Sequence, residues 1–132
     1  MADPALIAAA VLARQKAYAP YSRFLVGAAV KDEHGRIHAG CNVENAAYPM
    51  GSCAETGAIA AMVLAGGARI AEAAVVGSGS RHVPPCGGCR QRLREFGTPD
   101  LAVHICDEQG MVHRSFTLDE LLPASFGPEH LS

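Results

Sequence analysis

Two short segments constrain this chain more than anything else in it: Ser52-Cys53-Ala54-Glu55 and Pro85-Cys86-Gly87-Gly88-Cys89. Each falls at the start of a predicted helix, where backbone N–H groups lack partners and the dipole end is positive. Such places stabilise thiolates. A fold that brings the two helix starts together presents three thiolates to one ion. Zinc suits sulfur ligands in tetrahedral array, and three protein ligands leave the fourth position to water. A closed structural site would need a fourth ligand, and His82, in the loop before Cys86, is the nearest histidine in sequence. The CxxC pair also reads as a redox couple or as two buried unreactive thiols. Glu55 has two readings as well. With Ser52 it matches an S-x-x-E capping box, which needs no chemistry. A carboxylate two residues beyond a zinc thiolate can equally serve as a proton shuttle without ligating the metal.

The chain holds five cysteines, Cys41, Cys53, Cys86, Cys89 and Cys106. An odd number in a reducing compartment argues for metal or catalytic use over a disulfide framework. The formal net charge is −2, and no Lys/Arg run exceeds two neighbours. A polynucleotide binder needs a basic stripe, so nucleic acid is not the expected partner. The longest apolar stretch, Ala5 to Ala13, spans nine residues, against about twenty for a membrane span. It follows Asp3 and no positive segment, so it reads neither as a membrane anchor nor as a signal peptide. The expected location is the cytoplasm. At 132 residues the expectation is a single domain over 1–132, able to bury roughly two-thirds of its unfolded surface.

Asp3-Pro4 predicts a helix start, and apolar residues at helical spacing carry it to about Tyr18. Phe24 to Lys31 and Arg36 to Val43 predict a hairpin around Asp32-Glu33-His34-Gly35. A loop follows over Asn45 to Gly51. A second helix runs from Cys53 to about Leu64, closed by Gly66-Gly67. A strand over Ala73 to Gly77 and a loop over Ser78 to Pro85 lead into a third helix, from Cys86 or Gly87 to about Phe96. Leu101 to Cys106 and Met111 to Phe116 read as strands. Thr117 to Leu122 reads as a short helix with a capping box to Glu120, and Pro123 to Ser132 as an extended tail. The order α-β-β-α-β-α-β-β-α predicts an α/β fold, a three-layer α/β/α sandwich around a five-stranded mixed sheet.

Cys-Ala-Glu followed by Pro-Cys-x-x-Cys is the zinc-deaminase pattern with Cys at the first ligand position. The segments 21–29 (YSRFLVGAA), 42–48 (NVENAAY), 86–91 (CGGCRQ) and 121–128 (LLPASFGP) extend the match. Over nearly its full length the chain resembles the short-chain cytidine deaminases. The resemblance implies one Zn²⁺ per subunit on Cys53, Cys86 and Cys89. It implies that the metal activates a water and that Glu55 carries the proton to N3 of the pyrimidine and then to the leaving amine. It further implies substrate contacts from Phe24, Asn42, Glu44, Ala54, Tyr48 and Phe126, with Asn42 and Glu44 on the ribose. The implied partners are a free nucleoside and other copies of the chain, in a homotetramer with shared active sites. The implied role is pyrimidine salvage.

The chain departs from the family at Thr56, where an Arg usually follows the Glu and contacts the thiolates. Three thiolates and Zn²⁺ sum to −1, so the two helix N-termini are expected to offset that charge, with Arg90, directly after Cys89, taking on part of the work. Gly57 and the Pro49-Met50-Gly51 bend also differ from the common pattern. Competing readings are an aminonucleoside deaminase of blasticidin type, a non-catalytic zinc domain, and a thiol redox protein.

Overall fold

The computed structural model describes residues 2–79 and 81–132. Five strands form one sheet: β1 (Gly27–Asp32), β2 (Ile37–Cys41), β3 (Ile70–Val76), β4 (Ala102–Cys106) and β5 (Val112–Thr117). Their spatial order is β2-β1-β3-β4-β5, with β3 and β4 parallel and every other pair antiparallel. The helices are α1 (Pro4–Arg14), α2 (Ala54–Leu64), α3 (Gly87–Phe96) and α4 (Leu118–Leu121). This is the three-layer α/β/α arrangement around a mixed sheet that the element order predicts.

The layering follows from the two-residue period of the strands. Ala29, Ala74 and Val76 point to one face and bury Leu6, Ile7 and Ala10 of α1, with Cys106. Ala28, Val30, Ala73, Val75, Val103 and Ile105 point to the other face. There they meet Ala58, Ile59 and Met62 of α2, Leu93 of α3, and Leu118 and Leu121 of α4. A sheet covered on both faces needs nearly continuous apolar strands, which is how β3 and β4 read. The capping box of α4 forms as expected. The Thr117 N–H donates to Glu120 Oε1 at 2.8 Å, and the Glu120 N–H donates to Thr117 Oγ1 at 3.2 Å.

Gly40 allows α2 to lie directly on β2. A Cβ there would stand 2.3 Å from the Ala58 N and 2.5 Å from the Ala54 O. Both are backbone atoms, so α2 itself would have to move. Gly40→Ala is therefore expected to lower stability by about 1–3 kcal/mol or more, read as a lower urea midpoint. Zinc retention should fall with it, because α2 positions Cys53, one of the three clustered cysteines.

Five sequence expectations shift, among them the third strand, which runs Ile70–Val76 rather than Ala73 to Gly77. The first helix ends at Arg14 rather than near Tyr18. Residues 15–17 turn through bonds three residues back, Gln15 N–H to Leu12 O, Lys16 N–H to Ala13 O and Ala17 N–H to Arg14 O. Tyr18 then pairs its backbone with Asn42 and Glu44 at 3.0 and 2.8 Å, and this tertiary pairing overrides the local periodicity. Strand β1 starts at Gly27 rather than Phe24. The Asn42 side chain takes the Val26 N–H at 2.9 Å and donates to the Phe24 O at 2.8 Å, replacing ladder bonds there. Strand β2 is shorter than expected, and Val43 beyond it bridges Tyr18 and Ser52 singly. The tail is not wholly extended. Residues Pro128–Leu131 form a 3₁₀ turn, tied to α3 where Arg94 bonds Glu129 and Ser125. Of the expected loop over 78–85, Ser80 lies outside the described residues.

Candidate active site

Cys53 and Cys86 are the residues that cap α2 and α3, both in extended conformation, and Cys89 sits in the first turn of α3. The two helix starts meet above the sheet face that carries Val75. The three Sγ atoms all lie within 4.8 Å of one another, and Cys53 and Cys86 are 3.8 Å apart. Tetrahedral ligation at a Zn–S bond of about 2.3 Å requires sulfurs about 3.8 Å apart. The Cys53–Cys86 separation matches that geometry and the Cys89 sulfur lies within 4.8 Å of both, so the trio could hold one zinc ion. Among the described residues no fourth Cys, His, Asp or Glu joins it. His82 instead packs edge-on against the His113 ring, with centroids 4.9 Å apart. All five cysteines are free.

The capping box at Ser52 and Glu55 does not form. Ser52 pairs its backbone with Val43, its N–H reaching the Val43 O at 2.9 Å. The cap position falls to Cys53, whose side chain makes no capping bond. Glu55 is thereby left free of that duty, and it is 4% exposed. Burial pushes its carboxyl above the ordinary range. Burial also pushes the Cys53 and Cys89 thiols up, and at Cys89 the neighbouring Glu55 charge adds to the effect. At Cys86 burial is outweighed by bonds from the Cys89 N–H and from the neighbouring thiols, and the net direction is down. Three sulfurs this close together, one of them buried, become thiolates together only with a cation among them.

A cleft of about 300 Å³ opens over this cluster. Its floor holds Cys53, Ala54, Glu55 and Cys86, and its walls include Asn42, Glu44 and Tyr48. Glu44 accepts from the N–H groups of Tyr21 and Ser22 at 2.9 and 3.1 Å and from the Ser22 hydroxyl. Those bonds, the Ser22 hydroxyl first, hold its carboxyl below the ordinary range, so it is ionised. Asn42 is held by Val26 and Phe24, as above. Tyr48 is 76% exposed and stands edge-on to Tyr21. Ala54 is fully buried beneath the cleft.

The structure does not bring every expected residue to this cleft. Phe24 is 39% exposed and stands outside its lining. Phe126 is 56% exposed, stacked on His130 at the tail, and also outside the lining. Arg90 turns away from the sulfurs. Its Nε donates to the Pro85 O and its Nη1 to the Leu121 O, both at 2.8 Å. The guanidinium that reaches a sulfur is that of Arg92, with Nη1 4.0 Å from Cys89 Sγ. Helix phase explains the exchange: neighbours in sequence point about 100° apart, whereas residues three apart share a face. The spacing Cys89 to Arg92 therefore carried a signal that adjacency obscured. Val26, Val75, Val83 and Pro84 also line the cleft and were not anticipated. An apolar residue in a strand or loop carries no mark of which cavity it faces.

Residues 1–105 match the family model of the cytidine and deoxycytidylate deaminase zinc-binding region. A cytidine deaminase of Sporosarcina psychrophila is 42% identical over 96% of this chain and 93% of its own length. The crystal structure of cytidine deaminase from Burkholderia pseudomallei superposes with a TM-score of 0.87 at 46% identity, covering 96% of this chain and 100% of that one. That from Mycobacterium tuberculosis superposes at 0.81 with 40% identity, covering 93% and 95%.

Proposed function

The chain belongs to the cytidine and deoxycytidylate deaminase family, and from that premise we propose that it hydrolyses the exocyclic amine of free cytidine and deoxycytidine. A water is consumed, the C4–N bond breaks, a C4–O bond forms, and ammonia leaves with uridine or deoxyuridine as the other product. The observation that carries this reading is a buried carboxyl, Glu55, beside a zinc-fitting trio of cysteines at the floor of an open cleft.

Cys53, Cys86 and Cys89 would hold zinc, which would supply a Lewis acid able to lower the pKa of a water toward neutrality. Glu55 takes the proton that this water gives up and delivers it to N3 of the pyrimidine. It then helps protonate the departing amine. Burial raises this carboxyl above the ordinary range, which brings it closer to the pH at which one group both accepts and releases a proton. Ala54, at the cleft floor, offers its backbone to the base edge. A carboxylate has about four lone-pair sites and an amide has spare donor and acceptor capacity. Glu44 and Asn42 thus retain room for ribose hydroxyls after their internal bonds are made. The Glu44 charge repels a 5′-phosphate, which favours a free nucleoside. Tyr48 closes the outer wall.

Phe126 enters this reading through assembly. Phe126 is exposed and its own cleft does not use it, which is the arrangement expected of a residue lent to a neighbouring copy. Tyr48, Met50 and Leu64 are exposed apolar side chains in keeping with self-association as a homotetramer. The role is pyrimidine salvage in the cytoplasm, where free thiols persist. No described helix is long and apolar enough to cross a membrane.

The test is ultraviolet loss of cytidine, deoxycytidine and cytidine monophosphate by purified protein, with zinc counted per chain. One zinc per chain, turnover of both nucleosides and poor turnover of the monophosphate are expected. Zinc-loaded protein that deaminates blasticidin but neither nucleoside moves the substrate class. Zinc-loaded protein inert on all of them removes the enzymatic reading.

A further inference from the structure

The cysteine cluster carries a charge problem, and the structure places one side chain to meet it. Three thiolates and a dication sum to −1, and Glu55 adds a second negative charge beside them when ionised. Neither helix start supplies a full countercharge, since each contributes only about half a unit. Among the described residues one guanidinium reaches a sulfur, that of Arg92 on α3, with Nη1 4.0 Å from Cys89 Sγ. Three features show that this position is built. Arg92 shares a helix face with Cys89, three residues back, and with Gly88, four back. Gly88 provides the space: a Cβ there would stand 3.0 Å from Arg92 Nη1, tighter than an ordinary contact. And among the described residues no carboxylate lies close enough to pair with this guanidinium and draw it away, although Arg94 on the same helix is so paired. The same positive charge also bears on Glu55.

We propose that Arg92 is a positioning residue of the metal site: its guanidinium, laid across Gly88 against the Cys89 sulfur, offsets the net negative charge of the zinc–thiolate group, slows zinc loss and keeps the ion strongly acidic. Thr56 and Arg92 line one cleft between α2 and α3, so the wall facing Arg92 offers a hydroxyl where a second cation would fit. This inference rests on the proposed zinc function, since only a metallated cluster has the charge to be offset.

The experiment compares parent, Arg92→Ala, Arg92→Lys and Arg92→Ala/Thr56→Arg, each loaded with zinc. The first readout is the rate of zinc transfer to a chromogenic chelator. Partners that act on metal ligands from outside the coordination shell change affinity by about 10–100-fold. Arg92→Ala is expected to release zinc at least about tenfold faster, with Lys intermediate and the double variant returning toward the parent. The second readout splits kinetics: kcat falls while KM for cytidine holds, because the substrate-binding wall is untouched. The third is the melting temperature of the zinc-free forms, expected to be equal, since Arg92 is exposed outside the core. Arg92→Ala that releases zinc at the parent rate overturns the proposal. So does a fast-releasing variant that neither cation restores. A parent that holds no zinc overturns the functional reading as well, which separates the two failures.

Discussion

Glu55→Gln is expected to keep its zinc and to lose at least about 10³-fold in kcat for cytidine, the scale of a removed general acid–base. The substitution preserves shape in a site that is 4% exposed, so the loss reports proton transfer rather than packing. Turnover within tenfold of the parent, at equal zinc content, would take the shuttle role away from Glu55. The same substitution should act oppositely on stability. The folded carboxyl titrates above its ordinary value of 4.5 because burial penalises the charged form. A group raised in this way contributes fully below its unfolded value and loses that contribution as pH rises through the folded one. A glutamine loses nothing over that range. The zinc-free Gln variant should therefore show a higher urea midpoint than zinc-free parent at pH 7.5, and the two should converge near pH 4. Activity lost and stability gained from one atom exchange is the signature of a strained functional group.

Cys89→Ser should abolish zinc binding and bring turnover below detection. Cys89 is fully buried and lies in the first turn of α3, so it fixes the height at which that helix meets Cys53. A hydroxyl at this position is a poor ligand for zinc and does not ionise near neutral pH. Loss of a ligand held at about 1,000 times its Kd removes about 4 kcal/mol of stability. For a chain of this length that corresponds to a melting temperature lower by about 10–20 °C. The fold itself should persist, because the two apolar clusters on either side of the sheet stand without the metal. Cys106→Ser is the matching control. Cys106 is also buried, its thiol pushed up to about 11 by burial, but it packs under α1 on the opposite face. It should keep zinc and activity. Equal zinc loss in both variants would point to global loosening and overturn the assignment of Cys89.

Much of the fold was legible because its signals are local. The Asp3 cap accepts from the Ala5 N–H at 2.9 Å, as Asp-Pro at a helix start suggested. The Gly66-Gly67 stop and the α4 capping box also lie where composition and spacing put them, and all five strands form, three of them with moved boundaries. The cysteine trio was legible for a related reason: residue type and helix-start position are both written in the chain. The boundaries that moved did so where distant backbone intervened, at Tyr18 beside Val43 and at Phe24–Val26 under the Asn42 side chain. Glu55 shows the limit most clearly. Its pattern with Ser52 reads as a cap, and only the pairing of Ser52 with Val43 removes that reading.

The sequence by itself determined the three cysteines that cluster, the carboxylate beside them and the alternation that layers helices on both faces of a sheet. These depend on residue type and short-range period, which chain order preserves. Only the tertiary structure decided which arginine faces the sulfurs, which apolar residues wall the cleft, and that Glu44 and Asn42 are braced by residues 21–26 before any ligand arrives. Those outcomes depend on helix phase and on strand pairing across many intervening residues. Adjacency along a chain is a poor guide there: Arg90 touches Cys89 in sequence and turns to backbone carbonyls, while Arg92, one helical turn on, meets the thiolate.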